Sequence, residues 1–197
     1  KDWIFGYLSY DLKNDIEPLS SKNFDGLNFP DLYFFQPKKL FLFKDKTLTI
    51  KYLNCVSGEV ESDLVTISSF SKTAESKIPN NIKIEPRVSK ASYIEKVTAM
   101  LSHIQIGDIY EANFCQEFYA TAQLNPLETY FSLNSISQTP FATFLKNGKQ
   151  FLLSSSPERF IKKEGSIITS QPIKGTTRRS DNSNEDEDLK FALKNDQ

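Results

Sequence analysis

Apolar positions recur along this chain with two periods, and each period predicts an element. Residues 1–12, KDWIFGYLSYDL, place aromatics on both faces of an extended segment, which predicts a buried β segment with Gly6 allowing close packing. Residues 13–37 hold Pro18, Gly26, Pro30 and Pro37 among polar neighbours and read mostly as loop. Residues 38–53 predict a hairpin: LFLF, a turn at Lys44-Asp45-Lys46, then the alternating LTIKYL. Residues 68–86 turn to Ser, Lys, Asn and Pro, a linker that divides the chain into a β-rich part (1–85) and a second part (86–197).

The second part opens with a helix. Ser92 and Glu95 have capping-box spacing, Tyr93, Val97, Met100, Leu101 and Ile104 recur at helical spacing, and Gly107 is placed to stop the helix. Residues 108–122 then alternate, with Tyr110, Ala112, Phe114, Phe118 and Ala120 on one face, and predict a long strand. Asn125-Pro126 starts another helix, with Glu128 three residues after the cap. Two hairpins follow: 141–146 with 150–155 around Asn147-Gly148, and 159–163 with 166–170 around Glu164-Gly165. The acidic run 185–188 suits a helix start, and that helix is expected to be unfinished at Gln197.

Composition narrows the field. The chain of 197 residues has 24 basic and 25 acidic side chains, a net charge of −1, which argues against a nucleic-acid binder relying on bulk positive charge. With 39% hydrophobic residues, sixteen of them Phe, it is not a disordered polymer. One histidine, His103, and two cysteines, Cys55 and Cys115, exclude a zinc site made mainly of Cys and His. Two distant cysteines make no disulfide framework, so a reducing cytoplasm is expected. No run approaches the ~18–20 apolar residues of a membrane span. Lacking an initiator Met or a signal pattern, the chain reads as a piece of a longer protein.

Two segments break the ordinary pattern. In Ser154-Ser155-Ser156-Pro157-Glu158-Arg159-Phe160, hydroxyls and a proline end an apolar strand and place Glu158 at a strand junction. Locally this is either a turn with a Glu158–Arg159 surface pair or a site for acid chemistry. In Gln171-Pro172-Ile173-Lys174-Gly175-Thr176, the lysine has one apolar neighbour and one that admits close approach. It is either an exposed turn lysine or a desolvated amine able to act as a nucleophile. His103 reads as a helix-end histidine, Cys115 as an inert thiol, and Arg178-Arg179 as a solvated turn near Asp181.

Taken in order, Gly107-Asp108-Ile109-Tyr110 with Asn113, then SSSPERF (154–160), then TSQPIKGT (169–176), resemble the chorismate-utilising enzymes, and residues 6–12 resemble that family's N-terminal half. Lys174 resembles the aminodeoxychorismate synthase branch; at the matching position anthranilate synthases typically carry Ala, giving PIAGT. The resemblance implies an α+β fold, an αβ sandwich of antiparallel sheets with flanking helices. It implies Lys174 as nucleophile and Glu158 as general acid toward chorismate, with Gly175 and Thr176 binding substrate and Mg2+ holding the substrate carboxylate.

A glutamine amidotransferase partner is implied as the source of ammonia. Pro140-Phe141-Ala142 matches a segment that contacts L-tryptophan in some members, although plain packing at a strand entry explains it equally well. The family's metal-ligating glutamates are expected beyond Gln197, with no metal ligand in this chain. The chain alone is therefore expected to be inactive, and its unpaired strand edges are expected to favour self-association.

Overall fold

The fold is that of a computed structural model, which describes residues 2–71, 81–173 and 175–196. Helices and antiparallel strands share the chain, as an α+β reading requires. Contacts group it into two units, Lys1–Glu75 with Asn147–Gln150, and Ser76–Lys146 with Phe151–Gln197.

In the first unit, β1 (Phe5–Leu8) pairs antiparallel with β2 (Leu32–Phe35), Gly6 facing Phe34. A 3-10 turn at Tyr10–Leu12 runs into the short α1 (Lys13–Ile16). Aromatic contacts continue along the pair: Trp3 on Phe5, Phe5 on Phe35 and Tyr33 on Phe35, with ring centroids 5.7–6.1 Å apart. One expectation is corrected here: segment 1–12 is not buried, since Phe5 and Leu8 are exposed. Segment 13–37 is mostly loop, as expected, and also supplies α1 and the partner strand β2.

The hairpin expected at 38–53 is present as β3 (Lys39–Lys44) and β4 (Thr47–Tyr52), turning through Asp45 at φ 53°. A 3-10 segment (Asn54–Glu59) leads into α2 (Val60–Ser69). Lys39 ties the helix to the hairpin: its Nζ lies 2.6 Å from both Glu59 Oε2 and Asp63 Oδ2, and the Tyr52 hydroxyl also donates to Asp63. Hydrogen bonds from Lys39, then Tyr52, hold the Asp63 carboxyl below its ordinary pKa. Residues 72–80 of the expected linker lie outside the described residues.

In the second unit, β5 (Glu85–Pro86) precedes α3 (Lys90–Ile106). Ser89, not Ser92, caps α3: its hydroxyl accepts the Ser92 N–H at 3.3 Å. Gly107 ends the helix at φ 84°, a conformation that side chains disfavour. Tyr93, Val97, Met100 and Ile104 form its half-buried stripe, while Leu101 is exposed. The long strand expected over 108–122 shrinks to β6 (Phe118–Tyr119). Only Phe118 and Tyr119 find a partner, in Pro86 and Glu85, and alternation without a partner makes no ladder.

Beyond β6, α4 (Pro126–Ile136) starts as expected, with Asn125 Oδ1 accepting from Leu127 N and Glu128 N at 3.0 and 3.3 Å. The two predicted hairpins are β7 (Phe141–Asn147) with β8 (Gln150–Ser156), and β9 (Arg159–Glu164) with β10 (Ile167–Gln171). The last helix, α5 (Ser183–Lys194), begins two residues before the acidic run, capped by Asn182, and ends at Lys194 rather than running on to Gln197. Among the described residues no hydrophobic side chain is buried, and no helix is long and apolar enough to cross a membrane.

Candidate active site

The described site residues fall at or after strand ends of the second unit. Strand β8 closes on three serines, and the hydroxyls of the last two are occupied. Ser155 Oγ donates to the Ser137 carbonyl at 2.7 Å and lies 3.2 Å from Thr139 Oγ1, which secures the segment leading to Pro140. Ser156 Oγ accepts from Glu158 N and donates to the Glu158 carbonyl, each at 3.3 Å. Proline at 157 has no N–H to extend a ladder, so the chain leaves β8 there. Glu158 consequently stands between β8 and β9 with its side chain exposed.

Arg159 does not form the surface pair that one local reading suggested. Its guanidinium lies over the ring of Phe141, 4.9 Å from the centroid. That contact brings the first residues of β7 and β9 together, so the Pro140-Phe141-Ala142 segment and the Glu158 junction are neighbours. Pro140 is exposed, whereas Phe141 and Ala142 are half-buried.

Lys174 lies outside the described residues. The residues after it are placed. A Cβ on Gly175 would stand 3.1 Å from Leu193 Cδ1, so this backbone runs close against α5. Thr176 lines a cavity of about 410 Å3 together with Arg179, Asp186, Lys190 and Leu193.

Beneath that cavity is an ion-pair network that spacing had not disclosed. Arg179 Nε and Nη2 donate to the two Asp186 carboxylate oxygens at 2.7 and 2.6 Å, and Ser180 N adds a third bond at 3.1 Å. Arg178 and Ser180 Oγ both donate to Glu185. These bonds, Arg179 first and then the Ser180 N–H, pull the Asp186 pKa down to about 2. The arginines are solvated, as expected, but they pair with Glu185 and Asp186 of α5 and not with Asp181. The one available signal was the acidic run seven residues downstream.

Other singled-out residues sit apart from this region. His103 Nδ1 lies 2.7 Å from Asp108 Oδ2 at the end of α3, a helix-closing contact, and Tyr110 is 91% exposed. Cys55 and Cys115 are free and exposed. Among the described residues no three carboxylate, histidine or cysteine groups gather into a cation site.

With this geometry in place, comparison with known proteins identifies the family. The family model described as "chorismate binding enzyme" matches residues 1–197, and the chain belongs to that family. Anthranilate synthase component 1 of Thermus thermophilus is 26% identical over 202 residues, covering 98% of this chain and 44% of the relative. Aminodeoxychorismate synthase component 1 of Escherichia coli is 33% identical over 111 residues, covering 56% of this chain and 24% of the relative.

The chain therefore spans less than half the length of these relatives. The crystal structure of anthranilate synthase component I from Streptococcus pneumoniae superposes with a TM-score of 0.81 at 19% identity, covering all of this chain and 46% of that one. The fold is part of that α+β fold, and the described residues represent its sheets as two-stranded antiparallel pairs. This is a chorismate-utilising enzyme family with both kinds of synthase among the relatives.

Proposed function

We propose that the chain is the lysine-bearing part of an aminodeoxychorismate synthase component I, which converts chorismate and ammonia to 4-amino-4-deoxychorismate for para-aminobenzoate and folate synthesis. The observation that carries this reading is Lys174 in PIKGT, where the anthranilate synthase pattern has Ala. The local identity to the Escherichia coli synthase supports it further.

In this mechanism the Lys174 amine, in its uncharged form, attacks C2 of chorismate. Both ring double bonds shift, C1=C2 to C1=C6 and C5=C6 to C4=C5, and the C4 hydroxyl leaves as water, its proton supplied by Glu158. Ammonia then attacks C4, both double bonds shift back, and the C2–nitrogen bond to Lys174 breaks. The enolpyruvyl group is untouched throughout. Gly175 and Thr176 bind the substrate beside the lysine. Ammonia comes from a glutamine amidotransferase partner, and Mg2+ would hold the substrate carboxylate when bound. The protein is cytoplasmic.

Anthranilate synthase component I is the second reading, favoured by the relatives of that name that align over nearly the whole chain. The test is incubation of the uncut gene product with chorismate, Mg2+ and ammonia, with products read by mass spectrometry. An amino-deoxychorismate retaining its enolpyruvyl group supports the folate branch; anthranilate with free pyruvate overturns it. In Lys174→Ala the covalent adduct disappears and turnover falls; unchanged turnover sinks the nucleophile assignment but not the family.

A further inference from the structure

The two hairpins that carry the candidate segments, β7–β8 and β9–β10, belong to separate two-stranded sheets, so no backbone ladder of the described residues fixes one against the other. The Arg159–Phe141 contact crosses between them. Arg159 follows Glu158 directly and faces Gln171 in the ladder of β9 and β10. On the other side of Glu158, the Ser156 hydroxyl bonds both its N–H and its carbonyl. The Glu158 backbone is therefore held from both flanks by side chains, although its own carboxyl is exposed.

We propose that Arg159 and Phe141 are positioning residues for the Glu158 carboxyl, the Phe141 ring serving as the platform on which the arginine lies. This rests on the reading of Glu158 as proton donor. A general acid must come within hydrogen-bond reach of the departing hydroxyl, and a displacement of ~1 Å costs up to ~100-fold in rate. A planar guanidinium lies flat on a ring face, where a lysine ammonium acts as a point charge, so the identity of the cation matters as well as its charge. Phe141 in this role acts through Arg159, not by touching a ligand.

The complete enzyme tests this with ammonia-dependent turnover of chorismate. Phe141→Leu and Arg159→Lys are each expected to lower kcat about tenfold with KM changed by less than about twofold. Phe141→Tyr, which keeps the ring, restores kcat, and the double variant is no slower than either single one. The acid limb of the kcat–pH profile also moves in Phe141→Leu, which a purely structural role does not produce. Should Phe141→Leu fail to fold, Arg159→Lys and the tyrosine rescue carry the test.

A raised KM with unchanged kcat, or additive losses in the double variant, overturns the proposal by making these residues ligand contacts or independent parts. Glu158→Gln separates the two layers. If that variant keeps its turnover, the acid reading fails. If it loses turnover while Phe141→Leu and Arg159→Lys keep theirs, the positioning proposal alone fails.

Discussion

Replacing Gly6 by Ala tests whether the β1–β2 pair is built as described. A Cβ at position 6 would stand 2.0 Å from the Tyr33 carbonyl oxygen and 2.9 Å from Phe34 Cα, as well as 2.6 Å from Phe34 Cδ1. The ring atom can swing away, but the two backbone atoms belong to the paired strand and move only if the strand moves. A retreat of ~1 Å stretches hydrogen bonds of ordinary ~2.9 Å length past their useful range. Overpacking of this kind costs ~1–3 kcal/mol, and two weakened ladder bonds add ~1 kcal/mol each. Together these make ~3–5 kcal/mol, at least roughly a hundredfold in the local opening equilibrium. Trp3, the sole tryptophan, stacks on Phe5 beside the site and reports on this pair by fluorescence. A urea titration should show the Trp3 transition at clearly lower denaturant in Gly6→Ala. Gly107→Ala is the control: nothing lies within 4 Å of its Cβ but φ is +84°, so it costs ~1–2 kcal/mol and leaves Trp3 unmoved. If Gly6→Ala leaves the Trp3 emission and midpoint unchanged, the close approach of the two strands is wrong.

Three further outcomes are expected. Asn125→Ala removes the acceptor for Leu127 N and Glu128 N and should destabilise α4 by ~1 kcal/mol, seen as lost helical circular dichroism at lower urea; an unchanged transition contradicts the cap. Asp186, its pKa lowered to about 2 from an ordinary 3.8, stabilises the fold above the ordinary value and loses that contribution as pH falls from 3.8 towards 2. NMR titration of its carboxyl should give the low midpoint, and Arg179→Gln should return it towards the ordinary value; a wild-type midpoint already at the ordinary value refutes the ion pair. Because Phe43, Ile136 and Phe160 are each at least 80% exposed, this 197-residue polypeptide by itself should bind a hydrophobic dye and self-associate, and a dye-silent monomer in light scattering contradicts the exposure.

What the sequence disclosed depended on range. Hairpins closed by Gly148 and Gly165 were legible because φ of 57° and 61° demands a residue tolerant of that region. The end of α3 was legible at Gly107 for the same reason, while its start was misplaced because Ser89 and Ser92 both offer a hydroxyl three residues before a helical N–H. Helix α2 went unseen because VESDLVTISS is rich in β-branched and hydroxyl side chains. There Thr66 bonds back to the Ser62 carbonyl, one turn earlier, and Ser69 to that of Thr66. Strand β2 was hidden among prolines, since its only reason to be extended is the distant β1. The strand over 108–122 was overdrawn for the converse reason: alternation marks a face, but a partner makes a ladder.

The same distinction governs the candidate site. Glu158 stood out because a carboxylate after Pro157 at a strand end is chemically conspicuous, whereas Arg159 on Phe141 and Arg179 on Asp186 are contacts that only folding brings about. Glu158 lies where one hairpin has ended and the next has not begun, so ladder bonds give it no support and side chains must supply it. Under the proposed reading, any route that expels the C4 hydroxyl needs a proton, and Glu158 meets that need whether or not an enzyme amine takes part. In that same proposal Lys174 adds something different in kind: it would divide one displacement into two, each opened by a nitrogen nucleophile, and so let ammonia enter the carbon the hydroxyl has left. Position 158 thus carries chemistry that both candidate synthases can use, and position 174 is where they part.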